Sequence, residues 1–108
     1  MSLAFADDQG PLRHSPGFMA FARDLERLNT RYRHEQGFEH FVDVVEVSAS
    51  AVQLTAHERW IEAPIEDRQR SLNLMVNLWA LRADETTDTV VTLLIVDERG
   101  IPVMKGSR

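Results

Sequence analysis

The chain predicts an α+β domain of order α-β-β-α-β-β, in which a four-stranded, mostly antiparallel sheet carries two helices packed on one face. Three observations predict it. Phe18, Phe21, Leu25, Leu28 and Tyr32 fall within one narrow sector of a helix. The stretch Thr89 to Val96 is almost wholly aliphatic or β-branched, as a well-covered strand requires. Turn chemistry at Ser48-Ala49-Ser50 and at Asp97-Glu98-Arg99-Gly100 separates runs of strand-forming residues. With 108 residues and 44% apolar content, the chain has enough material for one core and too little for two. We therefore expect a single domain over 1–108, with a flexible arm at about 1–14 where Asp7, Asp8, Gly10 and Pro11 show no period.

Ser15 followed by Pro16 is a helix start, since the serine hydroxyl caps a free N–H and proline at the first helical position sacrifices no hydrogen bond. This first helix is expected to run to Gln36, where Gly37 supplies the left-handed residue that ends it. Opposite its apolar sector lies a basic ridge of Arg23, Arg27 and Arg31, with Thr30 and His34 beside it. The ridge is either a solvated helix face or a candidate docking surface for an acidic protein. Phe38 to Val47 then reads as a strand and Ala51 to Ala56 as its hairpin partner, with Val52, Leu54 and Ala56 on one face. Alternation fails near Asp43, which suggests a bulge or a strand covered on both sides. The link from His57 to Ala63 is ambiguous between strand continuation and loop.

Pro64 opens the second helix, expected to reach Ala83, with Glu66 and Asp67 complementing the positive end of its dipole. Ile65, Leu72, Met75, Val76, Trp79 and Ala83 form its core stripe, yet Leu74, Leu78 and Leu81 fall on nearly the opposite side. A helix lying on a sheet with water behind it needs only one apolar stripe. The second is covered either by another part of the same chain or by a partner, which makes Leu74, Leu78 and Leu81 the candidate dimer or partner surface. After an acidic loop at Asp84 to Asp88 come the strand Thr89 to Val96, a type I turn closed by Gly100, and a last strand holding Ile101, Val103 and Met104. Pro102 marks an open edge on that last strand.

Composition excludes several functions. A net charge of −5 argues against nucleic acid or an anionic membrane as the general partner. The absence of cysteine removes thiolate catalysis and cysteine-held metal centres. No apolar run reaches the roughly 18–20 residues needed to span a bilayer, and the first residues lack signal-peptide character, so a cytoplasmic location is the expectation. His34 and His40, with Glu35 and Glu39, form the densest group of metal-ligating types, but Gly37 breaks the helix between the two histidines and no third ligand is assured. His57-Glu58-Arg59 has acid–base potential without a nucleophile or oxyanion element beside it, and Asp43 and Glu46 point to opposite strand faces. No glycine-rich phosphate loop is present.

No catalytic residue, metal or cofactor is therefore expected. The leading expectation is a small acidic homodimeric binding or adaptor module acting through protein–protein contacts. The alternative is a small-ligand binder or enzyme with an apolar pocket between sheet and helices, with Trp60, His57 or His40 at its mouth. A third reading is a purely structural subunit of a larger assembly.

Overall fold

The computed structural model describes residues 14–83 and 90–108. Its elements are α1 (Pro16–Gln36), β1 (Phe41–Ser48), β2 (Ala51–Ala56), a short α2 (Glu58–Ile61), α3 (Ile65–Arg82), β3 (Thr92–Val96) and β4 (Pro102–Ser107). The α-β-β-α-β-β plan holds, with α2 as an additional turn of helix in the link whose state the sequence left ambiguous. His57 caps that turn by accepting the Arg59 N–H on Nδ1 at 3.0 Å.

The four strands lie in the order β1-β2-β3-β4. The two hairpins are antiparallel, while β2 and β3 are parallel, so the sheet is mixed. The parallel pairing follows from the connection: α2 and α3 carry the chain back along the sheet, so β3 starts from the same end as β2. Both long helices cover one face. Phe21 near the start of α1 meets Trp79 near the end of α3, ring centroids 5.5 Å apart, and Arg82 Nε reaches Asp24 Oδ2 at 2.7 Å, so the helices run in opposite directions. Between helices and sheet lies one apolar cluster that includes Phe18, Phe21 and Leu25 from α1, Leu72, Met75, Val76 and Trp79 from α3, and Phe41, Val52, Leu54, Leu93 and Ile95 from the sheet.

Local signals explain most boundaries. Ser15 Oγ accepts the Phe18 N–H at 3.1 Å, and Gly37 at φ 89° ends α1 with its N–H on the Arg33 carbonyl. The expected turn before β4 is present, with Gly100 at φ 86° and the Asp97 carboxylate accepting the Arg99 and Ile101 N–H groups at 2.8 and 2.9 Å. Those bonds hold the Asp97 pKa below its ordinary value, the Ile101 bond foremost. The suspected irregularity near Asp43 is a register shift: Phe41 opposes Ala56 and Asp43 opposes Thr55, leaving Val42 as the extra residue.

Some expectations need correction. Ile65, placed on the core stripe, is 54% exposed because it sits at the first position of α3, beyond the end of the sheet cluster. The third strand begins at Thr92 rather than Thr89, with Val90 and Val91 preceding it. The last strand starts at Pro102, which leaves Ile101 outside it. Thr89, the acidic loop Asp84 to Asp88 and the expected arm, His14 excepted, lie outside the described residues.

Two contacts fix where α1 sits. Asn29, the buried polar residue of the helix, uses its carboxamide twice on the backbone of edge strand β1, donating to the Phe41 carbonyl at 2.6 Å and accepting the Phe41 N–H at 3.3 Å. Phe41 thereby gains the pairing that its edge position denies it. At the other end of the strand, the Glu46 carboxylate accepts the Ser15 N–H at 3.3 Å and lies 2.9 Å from His14 Nδ1. That places a negative charge at the positive end of α1.

Candidate functional site

Two features of the surface carry functional potential, and α3 contributes to both. The first is its leucine stripe. Leu74 and Leu81 are 47% and 74% exposed, one heptad apart and so within about 20° of each other around the helix. Leu78, between them, is half-buried and packs on the core. The three predicted residues thus divide: Leu78 is partly covered by its own chain, while Leu74 and Leu81 stand in solvent. The outer sheet face, free of helices among the described residues, is the other uncovered surface. Across it run Val45, Gln53, Leu94 and Lys105, one from each strand and adjacent in register. Gln53 and Leu94 are half-buried by their sheet neighbours and Val45 at the edge is 45% exposed, so the centre of this face has less to gain from a cover than Leu81 has.

The basic ridge lies exposed along α1 as expected, but it is partly neutralised. Arg27 pairs with Asp24 at 3.3 Å and Arg31 with Glu35 at 3.2 Å, while Arg23 makes no ion pair with another described residue.

The second feature is an aromatic and histidine cluster at the opposite end of α3, where the end of α1, the start of β1 and the segment after β2 converge. The Tyr32 and His40 rings stack with centroids 3.6 Å apart and planes 9° from parallel. Phe38 packs against His40 at 5.2 Å and against His57 at 5.1 Å, and the Arg59 guanidinium lies 4.6 Å above the Phe38 ring. Trp60 packs on Phe41 at 5.3 Å and donates its indole N–H to Ser71 Oγ at 3.1 Å. Beside these rings is a cavity of about 210 Å³, lined by Gln36, Phe38, His40, Arg59, Trp60, Ala63, Asp67 and Ser71.

His40 is neutral at physiological pH, because burial first and the nearby His57 second push its pKa down to about 4. Its Nε2 lies 2.8 Å from Gln36 Oε1, which places the single proton on Nε2. Nδ1 is a buried nitrogen with no hydrogen-bond partner among the described residues. Burial likewise raises the pKa of Tyr32, so its hydroxyl stays protonated. Neutral His40 and protonated Tyr32 therefore form no acid–base pair, and among the described residues neither His40 nor His57 hydrogen-bonds a hydroxyl group.

The sequence pointed to Trp60, His57 and His40 as the mouth of a pocket. His40 and Trp60 do line one cavity, while His57 lies behind Phe38 and spends its Nδ1 on capping α2. Phe38, Gln36 and Ser71 were not singled out, and Arg59 was named only in the His57-Glu58-Arg59 group with acid–base potential. The one available signal was the density of aromatic and histidine residues on either side of the first hairpin, at 38–41 and 57–60. His34 is exposed and outside the cluster, and among the described residues no group of three or more His, Asp or Glu side chains is placed to hold a metal ion.

Two other hollows are shallower in chemistry. One of about 300 Å³ between α1 and β1 holds Arg33 and Glu39 paired with each other. One of about 440 Å³ is walled by Glu58, Ile61, Glu62, Asp97, Glu98 and Arg99. Comparison with known proteins adds no constraint, since no family model, curated protein or solved structure matches the chain. Among the described residues, no helix is long and apolar enough to cross a membrane.

Proposed function

We infer that the protein is a homodimeric binding or adaptor module whose subunits meet through α3. The exposure of Leu74 and Leu81 on a helix whose core stripe is already satisfied carries this reading. Their spacing suits a symmetric contact: two antiparallel copies of α3 crossing near Leu78 place Leu74 of each opposite Leu81 of the other. A fully buried leucine contributes roughly 1.5–3 kcal/mol, so covering the exposed parts of these two contributes about 2–4 kcal/mol per chain. Doubled by symmetry, that is of the same order as the lower end of association costs, about 4 kcal/mol. The reading therefore implies a weak, concentration-dependent dimer. The partner-facing side of such a module is the ridge of Arg23, Arg27 and Arg31, suited to an acidic protein surface.

Sedimentation equilibrium over a wide concentration range tests the dimer. Leu81→Glu is the informative change, because at 74% exposure it removes apolar contact area without burying a charge in the monomer. A wild type that dimerises and a Leu81→Glu variant that does not would support the reading. A monomeric wild type at millimolar concentration overturns it. A dimer lost with Leu94→Lys and retained with Leu81→Glu overturns the α3 contact in favour of the sheet face.

A further inference from the structure

The cavity beside His40 has a size and a lining that together specify a ligand. At about 210 Å³ it is smaller than pockets for drug-sized molecules, which start near 300 Å³, and larger than the roughly 150 Å³ that accommodates benzene. One ring with one small substituent fills it. Its walls include the aromatic side chains of Phe38 and Trp60, which favour an aromatic body.

The polar groups of the lining are mostly donors left over from internal bonds. Ser71 Oγ accepts from the Trp60 indole, and its own hydroxyl hydrogen has no acceptor among the described residues. Gln36 uses its carbonyl oxygen on His40 Nε2, and its NH₂ group makes no bond to another described residue. Arg59 rests on the Phe38 ring and forms no ion pair with a described carboxylate, so its guanidinium keeps its charge and donors free. The single carboxylate of the lining, Asp67, is held by Arg70 at 2.5 Å, which offsets its repulsion of an anion. Neutral His40 adds no competing charge.

We propose that this cavity binds a small aromatic carboxylate, a single ring bearing one carboxyl group. The ring lies against Phe38 and Trp60, and the carboxylate takes hydrogen bonds from Ser71 and Gln36 and the charge of Arg59. A rigid planar anion loses little conformational freedom on entering, and a guanidinium with free donors suits a carboxylate better than a neutral amide. The assignment rests on the cavity and its donors and stands independently of self-association.

Nitrogen-15-labelled protein titrated with benzoate tests it, because the two tryptophans provide a reporter and a control. The Trp60 indole N–H is bonded to Ser71 at the cavity, while the Trp79 indole donates to the Ser50 carbonyl at the other end of the molecule. The Trp60 signal is expected to move and saturate with a dissociation constant on the order of 1 mM, with Trp79 unmoved. Benzamide, the same shape without the charge, is expected to bind about tenfold more weakly or worse. Arg59→Gln is expected to weaken benzoate by a similar factor and Arg59→Lys by less. Arg59 is exposed, so neither change endangers the fold. Absence of saturable movement at Trp60, equal movement of both indoles, equal affinity for benzamide, or an unchanged affinity in Arg59→Gln would each overturn the proposal.

Discussion

Lowering the pH should destabilise the fold through His40, and the size of the effect follows from the ring's surroundings. In the folded state the pKa of His40 lies at about 4, against 6.5 for a free histidine. The unfolded chain therefore binds a proton between those values that the folded chain refuses, and stability must fall as pH drops through that window. Above about pH 6.5 the group costs nothing, and below about pH 4 the loss is complete. Fully transmitted, the difference corresponds to about 3 kcal/mol, and solvent around a half-buried ring reduces it to roughly 1–2 kcal/mol. Urea unfolding of the wild type and of His40→Phe at intervals between about pH 4 and pH 7.5 isolates this term, since carboxylates titrate alike in both proteins. The phenylalanine keeps a ring against Tyr32 but cannot take up a proton. The wild type should lose roughly 1–2 kcal/mol more than the variant across the interval. His57→Asn should lessen the wild-type loss, because His57 is the second cause of the lowered pKa. Parallel pH profiles for wild type and His40→Phe would refute the argument.

Other substitutions test the frame that holds these surfaces. A methyl group added at Gly106 in β4 would sit 2.6 Å from Val76 Cγ2, and valine cannot swing aside, so Gly106→Ala should destabilise by about 1–3 kcal/mol in urea unfolding. Adding Val76→Ala to it should recover part of that loss. Asn29→Leu should lower stability by about 2–3 kcal/mol, because both the N–H and the carbonyl of Phe41 lose their partner. Leu78→Glu, placing a charge where the side chain packs on the core, should depress the melting temperature well below that of Leu81→Glu. Equal melting temperatures would show that Leu78 is as free as Leu81.

Local chemistry made the elements readable. Ser15-Pro16 and Gly37 bounded α1 because capping depends on one or two residues and little else, and Asp97 with Gly100 fixed the last turn for the same reason. The core stripe of α3 was readable at Leu72, Met75, Val76 and Trp79, where helix period and burial agree. The period misplaced Ile65 because it says which side of a helix a residue occupies and nothing about whether the sheet extends that far. It likewise grouped Leu78 with Leu74 and Leu81, although Leu78 stands nearer to the core-facing side and gains cover there. Asn29 was passed over because a polar residue on a helix reads as wet. Its burial depends on an edge strand with an unpaired Phe41, a fact of tertiary arrangement.

The cavity shows the same limit more sharply, since its lining spans Gln36 to Ser71 and belongs to four separate pieces of chain. Three features bring them together. The register shift at Val42 comes just after the strand entry that carries Phe38 and His40. The turn of α2 swings Trp60 back onto Phe41 and under Ser71, where a continued strand would have carried it past the sheet. The crossover through α3 makes β2 and β3 parallel and so sets the first turns of α3, with Asp67 and Ser71, beyond the end of β2. In open sheets, the space beyond the carboxyl ends of parallel strands is where connections diverge and a hollow forms without any side chain being removed. The His40 cavity lies past the carboxyl end of β2, on the side of β1 and α1, and no residue of β3 lines it. A direct hairpin from β2 to β3 would make that pair antiparallel and would leave no crossover to carry Trp60 and Ser71. The crossover that makes β2 and β3 parallel therefore also supplies Arg59, Trp60, Asp67 and Ser71 to the candidate ligand site.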